Sequence, residues 1–265
     1  MTFEYKPSDP TISTRAAQGG GNSRYDNALD TPVGVWVPAE GKNRVRILPR
    51  TWGDDEGPAH WGYEVAIHYG IGPDNGSFLC NQTMKGEACP ICDERSRLNR
   101  LGDEEGAKAI RVSRAVVVYV VDRDKPQDSP KLWKMPMSIF RDICDLSCSG
   151  NTVLPIDHPV EGFDIEFRRA GQGLMTKYSG LQISRDATPA MDSPDELERV
   201  LRIISENPIP AAFNYKDAAY IARVFGSTEA PAPTADAPAE EPYTGQNAQP
   251  SADAFADAVS RAFGG

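Results

Sequence analysis

Alternation with a period of two marks most of the middle of the chain. From Asn43 to Leu48, Arg44 and Arg46 fall on one side and Val45 and Ile47 on the other, as in a half-buried strand. Trp61 to Tyr69 repeats the pattern and places Trp61, Tyr63, Val65, Ile67 and Tyr69 on one face. Ala115 to Val121 is apolar on both faces, which predicts a central strand covered on both sides. Phe163, Ile165 and Phe167 alternate with Asp164, Glu166 and Arg168, and Lys177 to Arg185 can pair with that strand across a turn at Gly171–Gly173. Helical periods are fewer. Ser193-Pro194-Asp195-Glu196 is a capping box with proline at the first helical position, opening a helix that turns Leu197, Val200, Leu201 and Ile204 inward. Ser138 predicts a cap for a second helix over Ile139 to Leu146. Five or more strands with few helices predict a mainly β chain with a few helices (α+β), built as a small closed or partly open barrel.

The periodic middle, about 31–227, is flanked by segments of other composition. Residues 1–30 read as a flexible arm: Gly19, Gly20 and Gly21 interrupt it and no period runs through it. Thr228 to Pro250 is Ala, Pro, Glu, Asp and Thr with almost no large apolar residue, so 228–265 predicts a disordered acidic tail. Its end recovers a helical stripe of Phe255, Val259 and Phe263, suited to a partner's groove. Charge changes the picture only once it is located. The net charge of −10 argues against nucleic acid, yet −5 of it lies beyond residue 227, where six acidic residues face Arg261 alone. No apolar run approaches the ~20 residues of a membrane helix, and the first ten residues lack a signal-peptide pattern, which predicts a cytoplasmic protein without membrane contact.

The densest chemistry is His68-x11-Cys80-x8-Cys89-x2-Cys92. Cys89-Pro90-Ile91-Cys92 is a knuckle whose two thiolates reach one ion, and Cys80 and His68 add a sulfur and a nitrogen from the preceding loop and strand. Four N/S ligands with no open position predict one structural zinc per chain, within a subdomain at about 60–112. The polar, Gly-rich loop Gly70 to Leu79 has little core of its own, and a metal cross-link would replace it. His60 is an alternative nitrogen ligand. A thioredoxin-like Cys-x-x-Cys lacks the extra Cys and His, and a nucleobase deaminase would need a His-x-Glu that neither His60 nor His68 begins. Cys144 and Cys148, four apart near a helix end, read as ordinary packed cysteines.

At these residues the chain resembles the T-even phage type single-stranded-DNA-binding, or helix-destabilising, proteins. That family carries a His, a Cys about a dozen residues on, then a Cys-Pro-x-Cys knuckle followed by a short helix; here these are His68, Cys80, Cys89-Pro90-Ile91-Cys92 and Asp93-Glu94-Arg95. Lys42-Asn43-Arg44-Val45-Arg46-Ile47-Leu48-Pro49 is similar to the family's first core strand, and the acidic tail matches its layout. The arm departs from the family's basic Lys/Arg-Ser-Thr motif: it offers Ser13-Thr14-Arg15 and Lys6 against Glu4 and Asp9. The resemblance implies an OB-fold-like, partly open barrel with an inserted zinc subdomain. It also implies a phage protein of the host cytoplasm acting in DNA replication, recombination and repair, with an acidic tail that engages replication and recombination proteins.

Binding a single strand needs cations for phosphates and aromatic faces for bases. Lys42, Arg44 and Arg46 share one strand face, and Arg111 and Arg114 end a second basic run that begins at Arg95. Tyr119, Trp133 and Tyr178 are the stacking candidates, with Lys177 beside the last. No nucleophile–base pair, phosphate-binding glycine loop or paired carboxylates appear, so the expectation is a non-enzymatic, sequence-independent binder of single-stranded DNA. A zinc-bearing protein–protein adaptor of phage replication or transcription is the first rival, and a thiol oxidoreductase the second.

Overall fold

Eleven residues from Val112 to Asp122 form the longest strand, β4, and the rest of the sheet is arranged around it. The computed structural model describes residues 28–72, 76–149, 152–171 and 175–226. Within them the other strands are β1 Gly41–Ile47, β2 Tyr63–Ile71, β3 Gly76–Leu79, β5 Lys131–Pro136, β6 Cys148–Ser149, β7 Thr152–Val153, β8 Asp164–Ala170 and β9 Lys177–Ile183. The helices are α1 Asn81–Lys85, α2 Pro90–Leu101, α3 Glu104–Ala109, α4 Met137–Ser147, α5 Pro194–Glu206 and α6 Ala218–Gly226.

The main sheet is open and antiparallel in all its strand pairs, in the order β3-β2-β4-β1-β8-β9. One edge of β4 carries β2 along Val112–Val117 and β1 along Val120–Asp122, while its other edge carries β5 along Ala115–Val120. β6 and β7 form a separate hairpin. Side chains of β4 alternate between two cores. Ala115, Val117, Tyr119 and Val121 enter the first, which Val200, Leu201 and Ile204 of α5 cover. Val116, Val118 and Val120 enter the second, with Ile139, Phe140 and Ile143 of α4 and Ile165 and Phe167 of β8. A strand apolar on both faces is thus buried on both faces, as its sequence predicts.

Most expected elements form, with local corrections. Ser193 caps α5, its Oγ accepting from Glu196 N at 3.4 Å. Ser138 caps nothing: β5 pairs as far as Pro136, α4 starts at the next residue, and Ser138 already lies in its first turn. Trp61 does not share the face of Tyr63, Val65 and Ile67. A Cβ on Gly62 would lie 2.5 Å from Val116 Cγ1, so the chain presses against the sheet there before the ladder starts at Tyr63. Trp61 therefore falls into the second core against His60 and Phe140. The six helices make the chain mixed α/β, a larger helical share than the alternation suggests. Four of them, α1, α2, α3 and α6, surround a third apolar cluster beside β2 and β3. Ala28 is fully buried and Asp30 N donates to Ala212 O at 2.7 Å, so the packed body includes the last residues assigned to the arm. The tail and its Phe255, Val259 and Phe263 lie outside the described residues.

Candidate functional site

The period of β2 decides where His68 points. Val65 and Ile67 face the first core, so Ala66 and His68 face the third cluster, where His68 is fully buried. Cys80 follows β3 and is the N-cap of α1: its Sγ accepts from Thr83 N at 3.4 Å and lies 3.2 Å from Thr83 Oγ1. Cys89 is the N-cap of α2, with Pro90 at the first helical position and Cys92 in the first turn. That spacing holds both thiols at the positive end of one helix, which favours thiolate. Gly102 ends α2 in the left-handed conformation, φ 78°, with its N–H bonded back to Asn99 O.

These elements bring four ligand atoms within 4.8 Å of one another. Cys80 Sγ lies 3.4 Å from Cys92 Sγ, and His68 Nε2 lies 3.5 Å from Cys89 Sγ and 3.4 Å from Cys92 Sγ. His68 Nδ1 donates to the Ile110 carbonyl at 3.0 Å, which fixes the ring and leaves the Nε2 lone pair directed at the sulfurs. Cys80, Cys89 and His68 are buried and Cys92 is half-buried. His60, the alternative nitrogen, lies elsewhere, packed against Trp61 and Phe140. Cys144 is buried in the second core and Cys148 opens β6.

The group is under electrostatic conflict. Burial pulls the His68 imidazole down, but hydrogen bonds with Cys80 and Cys89 outweigh it and push its pKa up to about 9. Hydrogen bonds from Cys89 and Cys92 pull the Cys80 thiol down, and those of Cys92 with Cys80 and Cys89 push Cys92 up. Three thiolates this close cannot all ionise against water-poor surroundings unless a cation joins them. The cluster can hold a metal ion, which would let every sulfur ionise and the imidazole stay neutral.

The other face of the sheet gathers basic residues around β1 and β8. Lys42 and Arg44 are exposed by 61% and 45%, paired with Glu166 at 2.9 Å and Asp164 at 2.6 Å. Arg46, expected beside them as a phosphate contact, is a correction: it is 0% exposed. Its Nη2 donates to Asp164 Oδ1 at 2.7 Å and its Nη1 to the Thr188 carbonyl at 2.6 Å, because residues 184–190 fold over this part of the face. Tyr119 and Trp133 are corrected too. Tyr119 is 1% exposed in the first core with its hydroxyl on Asn207 O, and Trp133 is 1% exposed, stacked on Phe167 at 5.4 Å. Lys131 and Lys134 suggest exposure for Trp133, and Tyr119 lies mid-strand beyond Arg111 and Arg114, whereas the sheet is covered on both faces at these positions.

Tyr178 is half-buried at the edge of the second core, 5.8 Å from Phe167, and Lys177 beside it is exposed. Arg111 is exposed beside the metal cluster, and exposed Arg114 pairs with Glu64 at 2.9 Å. Arg123, Arg168 and Asp164 were missed. Arg123 donates to Asp164 Oδ1 at 2.9 Å; Arg168, exposed, pairs in register with Lys42 across β1 and β8. Lys42, Arg168, Phe167, Glu166, Gly180 and Gln182 line a groove of about 290 Å³. Only the alternation of β8 marks Arg168 as outward, and nothing local marks Asp164 as the meeting point of three guanidiniums. The chain matches no protein-family model and no curated protein sequence. Among the described residues, no helix is long and apolar enough to cross a membrane.

Proposed function

We propose that the chain is a non-enzymatic, sequence-independent single-stranded-DNA-binding protein of the T-even phage type, with a structural zinc ion and an OB-fold-like, partly open barrel. The observation that carries this is the convergence of His68, Cys80, Cys89 and Cys92, the residues on which the resemblance rests, at one buried point. Zinc suits it. Tetrahedral Zn–S bonds of about 2.3 Å and Zn–N bonds of about 2.0 Å put sulfurs about 3.8 Å apart and N and S about 3.5 Å apart. The cluster's closest separations, 3.4–3.5 Å, lie near these. Four protein ligands leave no open position for substrate, which favours a structural ion over a catalytic one.

For the strand itself, the β1–β8–β9 face supports the reading better than the residues chosen from sequence alone. Lys42, Arg44, Arg46 and Arg123 meet the two carboxylates Asp164 and Glu166, and Arg168 stands in register with Lys42, an excess of positive charge in a chain of net charge −10. Lys42 and Arg168 edge the groove, and Lys177 of the neighbouring strand shares their face, whereas Tyr178, opposite Arg169 and packed on Phe167, turns to the second core. Replication and recombination proteins are the proposed partners of the acidic tail, and the host cytoplasm the proposed location. A titration of labelled oligo-dT against duplex DNA, followed by anisotropy, tests the reading. Tight, salt-sensitive binding to oligo-dT with weaker duplex binding is expected; no binding to oligo-dT leaves the zinc-bearing adaptor as the better reading. Intrinsic fluorescence is the poorer probe, because Trp36, Trp52, Trp61 and Trp133 are all buried.

A further inference from the structure

The third apolar cluster contains more than the ligand-bearing segments. Ile221, Val224 and Phe225 of α6 are buried in it together with Cys80, Cys89, Ile91 and Leu98. α6 follows the metal cluster by more than a hundred residues, yet its apolar stripe is committed there and packs against α2. Three further interactions tie it to the segments that carry the ligands. Asn81, next to Cys80 and itself buried, donates Nδ2 to the Lys216 carbonyl at 2.9 Å, just before α6. Lys85 Nζ stands 3.8 Å from the centroid of Tyr215, and Phe78, two residues before Cys80, meets Tyr220 edge-on at 6.2 Å. At Gly72, φ +74°, a Cβ would come within 2.7 Å of Val224 Cγ1 and 2.9 Å of the Val224 carbonyl. The turn between β2 and β3 therefore touches the backbone of α6, which a glycine alone allows.

We propose that α6 is a positioning element of the metal centre: its docking sets how tightly the ion is held, and the ion sets how firmly α6 is docked. This rests on the zinc reading above. The physical basis is that the short segments carrying the ligands are held by this one shared cluster and by the ion. α1 has five residues and α3 six, too short to stand alone. Removing the ion removes the cross-link between β2, α1 and α2, which together form the seat of α6. Removing the stripe of α6 opens the cluster behind Cys80 and Cys89 to water, so the ligands lose their fixed approach. Such coupling is reciprocal by thermodynamic linkage. α5 supplies a built-in reference, because its Val200, Leu201 and Ile204 belong to the first core and not to this cluster.

The test uses the full-length, zinc-loaded protein and two readouts. In the first, zinc is transferred to a chromophoric chelator from the wild type, from Ile221→Ala/Phe225→Ala, from the milder Val224→Ala and from the exposed-face control Ala219→Ser. The stripe variants should hold zinc about 10- to 100-fold more weakly, the range typical when groups supporting a ligand are removed, with Val224→Ala at the lower end and Ala219→Ser unchanged. In the second, the wild type is treated with trypsin with and without excess EDTA. Chelation should speed cleavage after Arg223 in α6 while leaving cleavage after Arg202 in α5 at its zinc-loaded rate. Zinc retention equal to wild type in Val224→Ala and in the double variant overturns the proposal. So does cleavage at Arg223 that ignores EDTA, or that rises in step with Arg202. The proteolysis arm needs no variant, so misfolding of the double variant does not rescue the idea. A wild type that binds no zinc overturns the metal reading as well, whereas zinc bound without coupling overturns this inference alone.

Discussion

Two buried polar clusters hold peripheral segments against the same sheet, and they do it by opposite means. On β1 and β8, Asp164 receives Arg46 and Arg123 at 2.7 and 2.9 Å on Oδ1, while Arg44 lies 2.6 Å from Oδ2, close but off-axis for a hydrogen bond. The guanidiniums go on to the carbonyls of Thr188, Pro189 and Ala190 and so tie down the segment after β9. Beside β2, His68, Cys80, Cys89 and Cys92 gather four ligand atoms, and no Lys or Arg is among them. The first clamp carries both signs of charge in the sequence and is complete once the chain folds. On the zinc reading proposed above, the second is completed only by an ion from outside. One is therefore a fixed fastening, and the other makes its region depend on the surroundings.

The largest effect that would break this comparison is removal of the ion. Cys89→Ser should abolish zinc retention and loosen α1, α2 and α6, because apparent free energies for structural zinc reach about 10 kcal/mol or more and act here as folding free energy. The strands of β1, β4 and β8 should keep their amide protection. Hydrogen exchange with and without chelator checks it: protection that falls evenly across both regions would mean that the metal supports the whole fold and that the two clamps are not independent.

Breaking the other clamp should cost less and respond to acid instead of chelator. Asp164→Ala leaves Arg46 buried without its carboxylate, a change worth about 3–5 kcal/mol for such pairs. Burial pushes the Asp164 carboxyl up, but the hydrogen bond from Arg123 and the charges of Arg46, Arg123 and Arg44 hold it below its usual value. A folded-state pKa below the unfolded one gives stability that is fully present above the unfolded value, about 3.9, and is lost as pH falls through the folded value. Wild-type stability, measured by urea denaturation from pH 7 down to pH 2, should therefore fall more steeply below about pH 4 than that of Asp164→Ala. Parallel profiles would show that this carboxylate is not the acid-sensitive fastening. Zinc content should be the same in both proteins at pH 7.

The two clamps also differ in how far the sequence announces them. The metal cluster was legible because its chemistry is carried by rare residue types at short spacing, and a strand period fixes the side on which His68 falls. Within the sheet, alternation located β1, β2 and β8, an unbroken apolar run located β4, the turn at Gly171–Gly173 located β9, and the capping signal at Ser193 located α5, since these depend on neighbours in the chain. The Asp164 clamp was not legible. Its members come from β1, from just past β4, from β8 and from the segment near Thr188, and each is a common charged or polar residue that alternation reads as solvent-facing. Trp133 failed for the same reason, since whether a strand face meets water depends on what the rest of the chain lays over it, whereas the burial of Tyr119 was already implied by the apolar run Ala115 to Val121 in which it lies. α6 was missed because its apolar stripe is short and its partner cluster lies far away in sequence.

The smallest expected effect bears on the cations that neither clamp uses up. If the β1–β8–β9 face takes a single strand, exposed Lys42 and Arg168 should release counterions on binding, whereas Arg46, fully buried on Asp164, should not. Lys42→Ala/Arg168→Ala should flatten the log–log salt dependence of oligo-dT binding by roughly 0.7 for each phosphate no longer neutralised. Across a fourfold rise in salt that is about a 2.6-fold change in affinity per phosphate, small but readable from a slope. The weakening should be alike for oligo-dT and mixed sequences, since cations that meet phosphates carry no base information. Arg46→Met should instead lower stability and leave the slope of the folded protein near the wild-type value. A slope unchanged by the double substitution would move the strand off this face, and a slope flattened by Arg46→Met in a protein that still folds would mean that the clamp opens to admit phosphate, so that the fastening on β1 and β8 is not fixed after all.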